Sequence, residues 1–305
     1  MPTFRSQDIP DLHDQVIIVT GGNVGLGYET IRQLSEHHPA RIYLAARSRS
    51  KAEQAIAELT RASPSSTNII RFLQLDLASF DSVKAAAAEF LRQESRIDIL
   101  INNAGIMMTR EGLTQDGYEI QFGTNVLGPA LFTQLLLPTL RSTTNLNRQT
   151  RMVMLSSAAH ARAPSDVYKF DELRTTAPSR HTTERYTTSK LANLHYARAL
   201  AERETEVKII PVHPGMVATN LHHASTGTFL KPFLSAAVCL AATPVEKGAL
   251  SQIFAAVSPE VKHGQYYGPI GKAEAGSKLS QNHDLQEELF RWVQGELVGH
   301  VDTVW

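Results

Sequence analysis

A tyrosine and a lysine four residues apart, in Tyr186-Thr-Thr-Ser-Lys190, open a stretch that continues through Leu191, Leu194, Tyr196 and Leu200. Helical spacing places the two side chains on one face, with the ammonium beneath the phenol. A free phenol titrates at about 10 and is a poor acid or base at neutral pH. A fixed cation beside it favours the phenolate and lowers that value, toward the range in which the group can pass a proton. Alone the pair is a weak signal, because the same spacing recurs on many surface helices. Its weight comes from what precedes it in the chain.

The apolar run Val16–Thr20 reads as a buried parallel strand. It leads through Thr20-Gly-Gly-Asn-Val-Gly-Leu-Gly27 into a helix with Ile31 and Leu34 inward. Backbone N–H groups at such a helix start attract a pyrophosphate, and glycines let it approach closely. The spacing of Gly21, Gly25 and Gly27 is not the G-x-G-x-x-G fingerprint but can serve the same purpose; the alternative is a tight structural turn. A second strand, Arg41–Ala45, ends at Ala46-Arg47-Ser48-Arg49, with no acidic residue before Glu53. An acidic residue there would bind a ribose 2′-hydroxyl, whereas arginine accommodates a 2′-phosphate, so Arg47 and Arg49 favour NADP(H) over NAD(H). Lys51 reads as a solvated charge at the next helix's start.

A third strand, Ile69–Leu75, ends at Asp76-Leu77, where a carboxylate could meet an adenine. The alanine-rich helix from Ser79 to about Gln93 is scaffold. The fourth strand, Ile97–Ile101, delivers Asn102-Asn-Ala-Gly105, which either lines the crevice or caps a turn. A long helix is expected from about Asp116 to Leu140. Asn125 inside it is unfavourable and requires a local partner or a kink. Residues 141–150 read as a polar loop. Strand five, Arg151–Leu155, brings Ser156-Ser157 to the same edge. Residues 158–183 are irregular, with a short element at Val167–Leu173. A sixth strand, Val207–Val212, ends at His213-Pro-Gly-Met-Val-Ala-Thr219. A helix follows from Pro244 to about Val257, then a last strand at Gly264–Tyr267 and an amphipathic helix at Asp284–Leu297.

Alternating strands and helices with no internal repeat imply one α/β domain over residues 1–305, a Rossmann-type doubly wound parallel sheet with helices on both faces. Ligands bind such sheets beyond the strands' carboxyl ends, where all these polar features lie. The 42% hydrophobic and 20% charged content is ordinary for a soluble globular protein. Thirty basic residues balance thirty acidic ones, so no global field draws the chain to nucleic acid. The single cysteine, Cys239, permits no intramolecular disulfide, the N-terminus lacks a secretory h-region, and the apolar stretch Phe229–Ala242 is too short to span a bilayer. The expected setting is cytoplasmic, with no integral membrane segment. Ser157 lacks the G-x-S-x-G elbow of a serine hydrolase. The His222-His223 pair has no third ligand at metal spacing, so no metal is expected.

With these motifs in this order, the chain resembles the short-chain dehydrogenase/reductase family over nearly its whole length. The matching residues are the Thr20–Gly27 turn, Asn102–Gly105, Asn125, Ser157, the Tyr186–Lys190 pair and Pro214-Gly215. Within the family it is most similar to the retinol-dehydrogenase-like reductases, through Ala45-Ala-Arg47, Ser156-Ser-Ala-Ala-His160 and Ser189-Lys-Leu-Ala-Asn193. The resemblance implies that Ser157 polarises a substrate carbonyl, with Ser156 structural, and that Tyr186 exchanges the proton. Lys190 would lower the tyrosine's pKa and hold the nicotinamide ribose, and Asn125 would keep a water that links Lys190 to solvent.

The implied cofactor residues are Gly21, Asn23, Gly25, Leu26, Gly27, Arg47, Asp76, Leu77, Asn103, Ala104, Gly105, Tyr186 and Lys190. Pro214, Gly215, Val217 and Thr219 would fix the nicotinamide ring. The expected function is NADPH-dependent interconversion of a ketone or aldehyde and an alcohol on a small lipophilic substrate. The segment at about 220–243, with Leu221, Phe229, Leu230, Phe233 and Leu234, would be a lid over that substrate, or would pack on the body or a partner. The alternative function is a catalytically silent dinucleotide-binding sensor or scaffold. The resemblance further implies a homodimer or homotetramer paired through the helices carrying Asn125 and Tyr186. The connection at 158–183 is longer than in many family members, which leaves roles for His160 and His181 open.

Overall fold

The computed structural model describes residues 4–63, 67–217 and 243–301. Strands β1 (Val16–Thr20), β2 (Arg41–Ala46), β3 (Ile70–Gln74), β4 (Ile99–Asn102), β5 (Arg151–Leu155), β6 (Lys208–Val212) and β7 (Tyr266–Gly268) run parallel. A strand that the sequence did not announce, β8 (Lys272–Glu274), returns antiparallel to β7. The sheet order is β3-β2-β1-β4-β5-β6-β7-β8. The chain turns back on itself between β1 and β4, where Val19 pairs with Ile101. That is the switch point at which such sheets open a crevice.

β-branched residues fill β1, and all five are buried. Strand alternation divides them: Val16 and Ile18 join Tyr43, Val83 and Phe90 on one face, while Ile17 and Val19 join Ile31, Leu44 and Ile253 on the other. The first face carries α3 (Phe80–Gln93), α5 (Gly128–Thr143) and α6 (Thr182–Arg203); the second carries α1 (Gly25–Ser35), α2 (Arg49–Ala62) and α7 (Val245–Val257). The last helix, α8 (His283–Glu296), packs on α6, with the Tyr196 and Phe290 rings stacked at 5.8 Å. No helix among the described residues is long and apolar enough to cross a membrane.

Four expectations change here. The Asn125 helix starts at α4 (Ile120–Phe122), not Asp116, because residues 113–119 close a tight turn at Gly117 (φ 84°) and Glu119 caps Phe122 N at 2.6 Å. It continues through a π-helical turn, Gly123–Leu127, and ends at Thr143 rather than Leu140. Tyr186 lies in the second turn of α6, since His181 and Glu184 form a capping box one turn earlier. The 158–183 connection holds two 3₁₀ turns, Ala158–Arg162 and Glu172–Arg174, in place of one element at Val167–Leu173.

Pairing through α6 also meets an obstacle: Arg185 to Ala197 are all buried within one protomer, and α8 packs along the same helix.

Candidate active site

The crevice begins at Thr20. Asn103 Nδ2 donates to Thr20 O at 2.7 Å, and Ala104 N donates to Thr20 Oγ1 at 2.9 Å, tying the glycine turn to the end of β4. A Cβ on Gly21 would lie 3.0 Å from Ala104 Cα, and one on Gly27 would lie 2.6 Å from Asn103 Nδ2. Glycine at these two positions is what lets the turn close. Gly21 and Gly25 also adopt positive φ, 67° and 56°. The N-cap of α1 is Val24, which offers no side-chain acceptor. The first-turn N–H groups, Gly25, Leu26 and Gly27, therefore face the crevice end uncapped, a fitting cradle for an anion. Asn23 is half-buried on the same turn.

Asn102 and Asn103 divide the two readings of their motif. Asn103 stitches the crevice, while Asn102 turns into the body and donates to Thr133 Oγ1 at 2.8 Å. Arg47 is exposed at the end of β2, and its guanidinium has no partner among the described residues. Arg49 is already committed, to Glu53 at 3.5 Å and to the Phe72 ring at 4.7 Å. Asp76 accepts from Ala78 N at 3.0 Å, and Leu77 is buried against the start of α5.

Ser157 lies two residues past the end of β5, and its hydroxyl neighbours the Tyr186 phenol. Lys190 Nζ lies 5.9 Å from the Tyr186 ring centroid and donates to Leu155 O at 3.2 Å. Asn125 has both the partner and the kink that its position demanded. Its Oδ1 accepts from Ile106 N at 2.8 Å; its Nδ2 donates to Ile106 O at 2.9 Å and to Ser189 Oγ at 3.0 Å. Ser189 in turn donates to Tyr186 O at 2.7 Å, joining the two helices. Asn125 and Lys190 converge on Gly105, where a Cβ would lie 3.3 Å from Asn125 Oδ1 and 3.2 Å from Lys190 Nζ. Ser156 is buried and donates to Lys190 O at 2.6 Å, a structural bond.

The electrostatics reverse one expectation. Burial raises the Tyr186 pKa above its ordinary value, and the neighbouring Ser157 hydroxyl only partly offsets this. Lys190 is itself desolvated and falls to about 8. The cost of burying the phenolate itself outweighs what its neighbours return.

Gly215 takes φ 81°, and Val217 is buried and bridged to Thr243. Pro214 is half-buried beside them. Gly248 on α7, which the sequence did not mark, is where this loop meets the glycine turn: a Cβ there would lie 2.6 Å from Val217 Cγ2 and 3.2 Å from Leu26 Cδ2. Thr219, Cys239, the His222-His223 pair and nearly all of the expected lid lie outside the described residues. His213, Ser189 and the Thr20 hydroxyl were also missed. Only Thr20 carried a signal, as the polar end of an apolar strand.

The short chain dehydrogenase model matches residues 15–168. A short-chain dehydrogenase/reductase of Armillaria gallica is 37% identical over 300 residues, covering 96% of this chain and 93% of that protein. Human retinol dehydrogenase 14 is 36% identical over 287 residues, covering 88% and 82%. A solved structure from Mycobacterium paratuberculosis superposes with a TM-score of 0.71 at 25% identity, covering 96% of this chain and 97% of the other.

Proposed function

The chain belongs to the short-chain dehydrogenase/reductase family of oxidoreductases, and from that premise we propose that it interconverts a ketone or aldehyde and an alcohol on a lipophilic small molecule, with NADP(H). The observation that carries this reading is the gathering of Tyr186, Ser157 and Lys190, with the Lys190 ammonium 5.9 Å from the tyrosine ring, at the sheet edge that also holds an uncapped helix start.

Ser157 Oγ–H would donate to the substrate carbonyl oxygen and polarise it. Burial keeps Tyr186 a protonated phenol at neutral pH, so it is ready to give its proton to that oxygen in reduction; in oxidation it takes the proton back. Lys190, at about 8, can return a proton to Tyr186 from solvent through a water kept by Asn125. The bound nicotinamide would supply or accept the hydride.

Gly21, Asn23, Gly25, Leu26 and Gly27 would hold the pyrophosphate, and Asp76, Leu77, Asn103, Ala104 and Gly105 would line the adenosine side and the crevice floor. Lys190 and Tyr186 would hold the nicotinamide ribose, and Pro214, Gly215, Val217 and Thr219 the ring. The Arg47 guanidinium, unpaired among the described residues, supports a 2′-phosphate. The lipophilic class rests on the apolar residues of segment 220–243 and on the likeness to a protein named for retinol, itself a lipophilic alcohol.

The test is fluorescence titration of NADPH and NADH on wild type and Arg47→Ala, followed by product assays on a carbonyl panel. NADPH is expected to bind more tightly, with the margin reduced about tenfold or more in the variant, the worth of one lost charge-assisted pair. Tyr186→Phe is expected to lose turnover by on the order of 10³-fold. A preference for NADH would sink the cofactor reading. Binding with equal, near-zero rates in wild type and Tyr186→Phe would leave a silent dinucleotide-binding module.

A further inference from the structure

Two buried histidines outside the proton-transfer group each touch the main chain of a site residue, and each is anchored in the β7–β8 hairpin or the turn after it. His160 Nδ1 lies 2.7 Å from Ser157 O, and its Nε2 faces Ser277 N at 3.2 Å. A backbone N–H only donates, so Nε2 carries the lone pair and the proton sits on Nδ1, aimed at a carbonyl that only accepts. His213 is wired the other way. Its Nδ1 accepts from Gly215 N at 3.3 Å, so its proton sits on Nε2, 3.1 Å from Glu274 Oε2. Both rings are nearly inaccessible, at 4% and 6% exposure.

Two further observations show that these contacts are built. A Cβ on Gly268 would lie 2.6 Å from Glu274 Cδ and 2.9 Å from His213 Nε2, so only glycine leaves room for that pair. Tyr266 lies between the histidines, its ring centroid 5.5 Å from His160 and 5.4 Å from His213. Its hydroxyl is 3.3 Å from His160 Nδ1 and neighbours Ser156, whose own proton goes to Lys190 O. One corner of the chain thus reaches Ser156, Ser157, Lys190 and Gly215.

We propose that His160 and His213 are positioning residues, held in opposite neutral tautomers by the β7–β8 hairpin and its following turn, which fix the main chain of Ser157 and of Gly215. Each ring can bridge its two partners in only one protonation pattern, so the hairpin sets both the location and the direction of the bond. The kinetic consequence rests on the oxidoreductase reading above, because a displacement of about 1 Å at a reacting group can cost on the order of 10²-fold in rate.

Long-range ¹H–¹⁵N correlation of the imidazoles in the ¹⁵N-labelled full chain reads the tautomers without any turnover. The expected pattern is Nδ1–H for His160 and Nε2–H for His213; mixed tautomers, or the reverse pattern, would overturn the assignment. The kinetic arm compares His160→Asn, whose amide reaches the Nδ1 position and keeps the bond to Ser157 O, with His160→Gln, which reaches only the Nε2 position. The glutamine variant should lose kcat by on the order of 10²-fold with NADPH affinity within about twofold, and the asparagine variant should recover most of that loss. Equal losses in the two variants would mean that His160 merely fills space, and would overturn its positioning role. For His213→Gln, which loses the Gly215 bond, NADPH affinity should fall about tenfold; unchanged affinity counts against that half. If wild type reduces no carbonyl compound, the oxidoreductase reading fails, and the tautomer pattern alone upholds or overturns the hydrogen-bond assignment.

Discussion

Lys190 shows what a sequence leaves out at the scale of one residue. Its type and its distance from Tyr186 were readable from spacing, as were Ser157 at a strand end and Asn125 at an awkward helical position. The direction of the tyrosine's pKa was not, because it depends on the solvent each group loses in folding. The same burial links Lys190 to stability. In the folded chain it titrates at about 8, below its ordinary 10.5. Between those values the unfolded chain holds the extra proton, so stability rises with pH across that window and is flat below it. Lys190→Met removes the gradient. Denaturant unfolding should therefore show wild type gaining about 2 kcal/mol relative to the variant between about pH 8 and 10. A constant difference across that range would mean that Lys190 keeps its solvent.

Arg151 makes the corresponding point for elements. It opens β5 and is buried with no carboxylate partner among the described residues, and desolvation lowers its pKa to about 10. Its Nη1 donates to Ala255 O at 3.2 Å and to Ser258 O at 3.0 Å, satisfying carbonyls at the end of α7. Arg151→Leu strands those carbonyls and should cost about 2–4 kcal/mol in chemical denaturation, with secondary structure retained. A loss below about 0.5 kcal/mol would show that solvent reaches them instead. The parallel strands were legible, because buried parallel strands are continuous apolar runs, but the exposed antiparallel β8 was not. Helix starts were less so. Ile120 and Thr182 are set by the turn at Gly117 and by the His181–Glu184 box, which are arrangements of polar side chains rather than periods of apolar ones.

At the scale of the whole molecule, the order of strands and helices was readable, while the contact between α6 and α8 was not. The apolar face of the last helix at Leu285, Leu289 and Trp292 was visible in the sequence, but nothing there named α6 as what part of it covers. Leu289, Phe290 and Val293 share a core with Tyr196, and Arg203 pairs with Glu287 at 2.6 Å. Phe290→Ala should cost about 3–5 kcal/mol. Because α8 covers the helix through which pairing was expected, sedimentation should also show more self-association in this variant than in wild type at equal concentration. A variant that loses stability without any change in sedimentation would locate the self-association surface elsewhere.

The placement of the β7–β8 hairpin also orders events in time. A ribosome releases the Thr20–Gly27 turn first and β4 with Asn103 some eighty residues later, and Asn103 then ties the two together. Ser157 follows, yet Tyr266 and Ser277, which meet the His160 ring bonded to it, emerge only in the last sixth of the chain. A growing chain therefore exposes its glycine turn well before the residues that position Ser157 have been made.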